Sequence, residues 1–191
     1  YTDRALIQTD KGEVYSYNTK ENEKVVRAAH ADGAMRMAVG GEGMYVIVKA
    51  DGTVWGWGHN TLGMLGANLE NELEEPVKIA GLSDITDVKA GTDHVIALDK
   101  KGNVYSFGSN MTGQLGRIPV TFDTWTELGE LRDVKQVVTE LDRPYFVRKD
   151  GSVWGIGADR VPYEVKGPTK VKTMDSILDS PVTLNENGQI Q

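Results

Sequence analysis

Three histidines, a short acidic run and a closely spaced pair of tryptophans are the groups in this 191-residue sequence with chemistry to offer. His30, His59 and His94 carry side chains able to serve as base or metal ligand near neutral pH. None stands in H-E-x-x-H or in a two-histidine-plus-carboxylate spacing, so no metal ligands are assigned. Asp93, Asp123 and Asp142 read as loop carboxylates, but they form no recognisable general-acid and general-base pair. G-x-S-x-G, P-loop, G-x-G-x-x-G and EF-hand patterns are all missing. The sequence therefore assigns no catalytic residue, calls for no cofactor, and does not read as an enzyme. It contains no cysteine, which excludes disulfides, thiolate catalysis and cysteine-ligated zinc.

The remaining groups suit contact with another protein. His59 follows the second tryptophan and reads as a loop residue. The run Glu70-Asn71-Glu72-Leu73-Glu74-Glu75 also reads as a loop, either simply solvated or in electrostatic contact with a basic partner patch. A long insertion, residues 117–130, carries Phe122 and Trp125. Aromatics on loops of a rigid scaffold are favoured interface anchors, although Trp125 also falls where an outer strand is expected. His59, Glu72, Glu74, Phe122 and Trp125 are thus the candidate partner-binding residues. With 28 acidic against 21 basic residues and a net charge of -7, nucleic acid is a disfavoured partner. No apolar run approaches the ~18 residues of a membrane span.

The elements that must hold these groups are repeats. Residues 51–66 read DGTVWGWGHNTLGMLG. Their hairpin pattern recurs near residues 5–17, 46–58, 96–108, 146–157 and 182–191. The turn glycines are Gly12, Gly52, Gly102, Gly151 and Gly188, at steps of 40, 50, 49 and 37 residues. Variable steps around a constant motif mean a repeat with loop insertions. Asp51-Gly52, Asp150-Gly151 and Asn187-Gly188 are turn pairs that tolerate positive φ. The second strand alternates, Val54, Gly56 and Gly58 on one face and Trp55 and Trp57 on the other. Glycines opposite large rings are expected to let another backbone approach. Apolar runs without alternation, such as residues 94–98 and 45–48, fit strands covered on both faces. About four short strands per unit of ~40–50 residues indicate an all-β propeller.

Residues 88–116, VKAGTDHVIALDKKGNVYSFGSNMTGQLG, resemble the RCC1 repeat, and residues 51–66 match it nearly as well. The first and fourth copies keep the hairpin without the G-Q-L-G tail, and the fifth stops inside it. The resemblance implies one β-propeller segment over residues 1–191, built of four-stranded blades, with about four repeat units and a partial one. It implies that Trp55 and Trp57 are inter-blade core aromatics, that Gly58, Asn60, Gly63 and Gly66 shape the outgoing loop, and that His94 is structural. The alternative for the tryptophans is a binding role at the propeller rim. A light-sensing role, as in the family's plant UV-B photoreceptor, is rejected because Gly56-Trp57-Gly58-His59-Asn60 lacks the arginine of its G-W-R-H-T motif. Asn110-Met111-Thr112 is a glycosylation sequon that overlaps the repeat's own asparagine.

RCC1-type propellers have seven blades, and both ends of this chain supply the same hairpin. The expected architecture is therefore a partial, open propeller whose end faces self-associate or are completed by another chain. Tyr1 in place of methionine reads as a removed leader or a piece cut from a longer protein. The resemblance implies a non-catalytic protein-binding module. Irregular repeats, acidic balance and absence of cysteine look most like the family's bacterial, exported members at the cell surface or outside the cell, with a cytoplasmic setting as the alternative. Two other readings stay open: a secreted enzyme inhibitor like the family's β-lactamase inhibitor, and an exchange-type regulator of a small GTPase.

Overall fold

The computed structural model describes residues 3–19, 24–61, 63–66, 69–111, 113–116, 126–140, 143–177 and 180–191. Phe122, Trp125, Asp123 and Asp142 lie outside the described residues. The strands form five antiparallel sheets taken in chain order. The first holds β1 (Arg4–Gln8), β2 (Val14–Asn18) and β3 (Lys24–Arg27). The second holds β4 (Ala34–Val39), β5 (Met44–Lys49), β6 (Val54–His59) and β7 (Glu72–Lys78). β8 (Ile85–Ala90), β9 (His94–Asp99), β10 (Val104–Gly108) and β11 (Thr126–Glu127) make the third. β12 (Val134–Glu140), β13 (Arg143–Arg148), β14 (Val153–Ile156) and β15 (Pro162–Glu164) make the fourth. β16 (Val171–Ile177) and β17 (Ser180–Asn185) form the last, extended by a bridge from Leu184 to Ile190.

Each complete sheet is an up-and-down meander whose first strand is innermost, because β4 packs on β8, β8 on β12 and β12 on β16. This is a propeller. Its first sheet begins at the second strand of a blade and its last sheet holds the first two. Among the described residues no strand of one end sheet pairs with the other, so the propeller is open. The blade boundary is offset from the sequence motif. The run at Lys24–Arg27, which precedes the second hairpin, closes the first sheet, and Ala34–Val39 opens the second.

Apolar side chains fill the spaces between successive sheets. Tyr45, Ile47 and Trp57 meet Val14, Ala28 and Ala31 between the first and second. Val46, Val48, Val54 and Leu65 meet Val88, Val95 and Ala97 between the second and third. Ile96, Leu98 and Val104 meet Val137 and Phe146, and Tyr145, Val147 and Val153 meet Val171 and Met174. β5 and β9 are therefore covered on both faces, as their unbroken apolar runs require.

The turn glycines join one blade to the next. Gly52, Gly102 and Gly151 accept backbone N–H bonds from Ile85, Val134 and Val171, the first residues of the following inner strands, at 3.1, 3.1 and 3.0 Å. A side chain on Gly52 would sit 2.8 Å from the backbone of Asp84. Close backbone approach thus occurs at the turns. At Gly56 and Gly58, where it was expected between sheets, the space is used within the blade: a Cβ on Gly56 would strike the Leu65 side chain and one on Gly58 the Gly43 carbonyl. The G-x-L-G tail explains the first case. Asn60 Oδ1 accepts the Leu65 N–H at 2.7 Å and Asn110 Oδ1 the Leu115 N–H at 3.0 Å, folding a buried leucine back over the blade. Asn110 is itself buried, which argues against glycan attachment at the sequon.

Candidate functional site

The acidic run that reads as a loop is largely strand. Glu72 opens β7, the outer strand of the second sheet, and Glu74 and Glu75 lie exposed along it. Pro76 is compatible with this position because an outer strand leaves one edge free of ladder bonds. His59 is likewise no loop residue. It ends β6, paired in register with Glu72, and its Nδ1 lies 3.5 Å from Glu72 Oε2. Three of the five sequence-derived binding residues, His59, Glu72 and Glu74, are thereby brought into one groove of about 640 Å³.

The groove runs between the first and second sheets. Glu72, Glu74 and Glu75 form one wall and Arg4, Lys24 and Arg27 the other. Tyr45 and Trp57 lie beneath, their rings stacked 5.3 Å apart at 21°. Arg27 is committed to Asp32 at 2.7 Å and lies 3.8 Å from Glu13. The two walls thus carry opposite charge. Among the described residues no cluster of three or more His, Asp or Glu side chains is placed to hold a metal.

A second groove, about 630 Å³, follows the inner strands β8, β12 and β16. Burial raises the Asp87 carboxyl pKa there, opposed by Lys89, the Val88 N–H and Arg36. No sequence-derived binding residue lines it. His94 is fully buried beside it, with Nε2 3.2 Å from Thr139 Oγ1 of the next blade, a structural link as its motif position implies.

The sequence reading missed a relay repeated on the turn side. Asp51 Oδ1 accepts from the Thr53 hydroxyl at 2.6 Å, and the Trp55 indole N–H donates to that hydroxyl at 3.0 Å. Asp150, Ser152 and Trp154 repeat it at 2.7 and 3.1 Å. A cation covers each indole, Lys49 Nζ at 4.3 Å from Trp55 and the Arg148 guanidinium at 3.9 Å from Trp154. The signal lay in the shared spacing of basic residue, Asp-Gly, hydroxyl residue, Val and Trp.

In the third blade the carboxylate moves to Asp99. Burial raises its pKa, but N–H bonds from Asn103 (backbone 2.9 Å, side chain 2.9 Å) and Lys101 (2.8 Å) outweigh this and hold it below the ordinary value. A depressed folded pKa stabilises the fold above the unfolded value of about 3.9, and the contribution disappears as pH falls through the folded pKa. Asp99→Asn is expected to lose about 1.5 kcal/mol at pH 7 and to show a shallower stability loss between about pH 5 and 2. Urea midpoints against pH check this, and parallel curves for the two proteins would contradict it.

The family model described as the Regulator of chromosome condensation (RCC1) repeat matches residues 51–98, and a second RCC1-repeat model matches residues 85–114. The zebrafish (Danio rerio) Protein RCC2 homolog is 42% identical over 74 residues, 38% of this chain and 15% of that protein. The structure of Prp20p from Saccharomyces cerevisiae, described with its binding to Gsp1p and histones, superimposes with a TM-score of 0.79 at 21% identity, covering 99% of this chain and 54% of that one. Human WBSCR16 gives 0.78 at 20% identity, covering 96% and 56%. The chain thus spans about half the length of these solved propellers and a small part of the curated relative. At such identities the structural likeness concerns the fold. The repeat matches and the sheet order agree: residues 51–114 carry RCC1-type repeats, and the chain has the fold of an open β-propeller.

Proposed function

We infer that the chain is a non-catalytic protein-binding propeller module, and that the groove between its first two sheets receives a basic segment of a partner protein. The observation that carries this reading is the acidic wall of Glu72, Glu74 and Glu75 on an exposed outer strand, at a groove floored by packed aromatics. A net charge of -7 favours a basic partner through long-range attraction. Phe122 and Trp125 belong to the same reading as further anchors. The similarity to Prp20p, whose structure is described with two protein partners, supports the class of function. The cysteine-free acidic composition and irregular repeat steps support a setting at the cell surface or outside the cell, within a larger exported bacterial protein. The open ends favour completion by further blades.

A fluorescent decalysine peptide tests the groove by anisotropy at low salt. Joint replacement Glu72→Gln, Glu74→Gln and Glu75→Gln is expected to weaken binding about tenfold, whereas Glu164→Gln on the outer strand β15 leaves it unchanged. Equal loss in both variants, or no binding by the unaltered chain, would count against the reading.

A further inference from the structure

The wall that faces the acidic strand is one that a uniformly basic chain meets badly. Arg4 stands opposite Asn18, and Asn18 opposite Lys24, across the first sheet. Directly opposed residues of neighbouring strands share a face, so the two cations form one row turned to the groove. Arg27, at the other end of β3, is committed to Asp32, which leaves this row as the wall's positive charge. Gly43 makes room for the row from the second sheet. A Cβ at Gly43 would overlap the Arg4 guanidinium.

Glu72, Glu74 and Glu75 line the opposite wall. Like charges brought side by side across an interface are strongly unfavourable. A chain of lysines therefore gains at β7 and loses at Arg4 and Lys24. The floor limits the shape of the occupant as well. Tyr45 and Trp57 are at most 6% exposed and already fill the space between the two sheets. A helix is about 10–12 Å across with its side chains, as wide as the ~10 Å spacing of packed sheets, and has no room above them. An extended chain is narrower, and its successive side chains point to opposite sides.

We propose that the groove selects an extended segment in which cationic and anionic residues alternate, with lysine or arginine toward Glu72, Glu74 and Glu75 and aspartate or glutamate toward Arg4 and Lys24. This rests on the basic-segment reading above and narrows it: the cations take every second position and carboxylates stand between them. The two walls together set the register, since a slip of one residue turns every charge onto the wrong wall.

The test compares two labelled peptides of identical composition, KEKEKEKEKE and KKKKKEEEEE, by anisotropy with the full chain at low salt. Their net charges are equal, so long-range attraction to the protein does not separate them. The alternating peptide is expected to bind about tenfold more tightly. This comparison uses the unaltered chain, so folding does not enter. Joint replacement Arg4→Gln and Lys24→Gln should weaken the alternating peptide about fivefold and tighten decalysine about threefold, opposite effects that a loss of structure would not give. Equal affinities for the two mixed peptides, or weakening of the alternating peptide and decalysine alike by the double replacement, overturn the proposal. If Glu72→Gln, Glu74→Gln and Glu75→Gln together leave decalysine binding unchanged, the basic-segment reading falls and takes the proposal with it. If they weaken decalysine but the two mixed peptides bind equally, the alternation alone falls.

Discussion

Gly52→Ala is expected to cost about 3–4 kcal/mol of folding stability, and Gly188→Ala only about 1. The two glycines hold equivalent motif positions and nearly equal backbone angles, φ +76° and +78°. Both therefore impose the left-handed penalty of about 1–2 kcal/mol on any side chain. They differ in what faces them. A methyl group on Gly52 meets the Asp84 backbone at 2.8 Å, and backbone cannot turn aside as a side-chain tip can. That contact also holds the Ile85 N–H to the Gly52 carbonyl, so relief of the clash weakens the link between blades. Nothing lies within 4 Å of the same point on Gly188. Urea unfolding of both variants gives the difference directly. Equal costs would mean that turn geometry alone, and not the seating of the next blade, selects glycine.

Trp57→Ala is expected to cost about 3–5 kcal/mol, because the indole is 4% exposed and fills the space between the first two sheets. Trp57→Phe keeps most of the apolar volume and should lose less than about 1.5 kcal/mol. Trp55→Ala should lie well below Trp57→Ala. Trp55 is half-buried, its N–H is held by Thr53, and Lys49 covers its face. The order Trp57→Ala, Trp55→Ala, Trp57→Phe in thermal midpoints distinguishes core aromatics from rim binding residues. A rim residue would change binding with little change in midpoint.

The hairpins were legible because three local signals coincide in each: a turn glycine, alternation after it, and an unbroken apolar strand before it. The inter-blade place of Trp57 was what the RCC1 resemblance implied, and the packing agrees. The strand identity of Glu72–Lys78 did not. Glutamate and proline are poor strand formers in general, and an outer strand bonded on one edge only can use both. The shift between the Gly56–Val77 and Gly58–Leu73 pairings also breaks the period that would have revealed it. His59 was misplaced for the related reason that its pairing partner was read as loop. The blade boundary was hidden because a repeat fixes spacing without fixing where a sheet begins. The grooves depend on which sheets become neighbours, information that no single motif holds.

Native-state hydrogen exchange on the free chain tests the blade-to-blade account most directly. Amides of Ile85, Val134 and Val171, bonded to the turn glycines of preceding blades, should exchange near the rate set by global unfolding. Fast exchange at Ile85, Val134 and Val171 would contradict the account, since the glycine turns would then not be joining the blades.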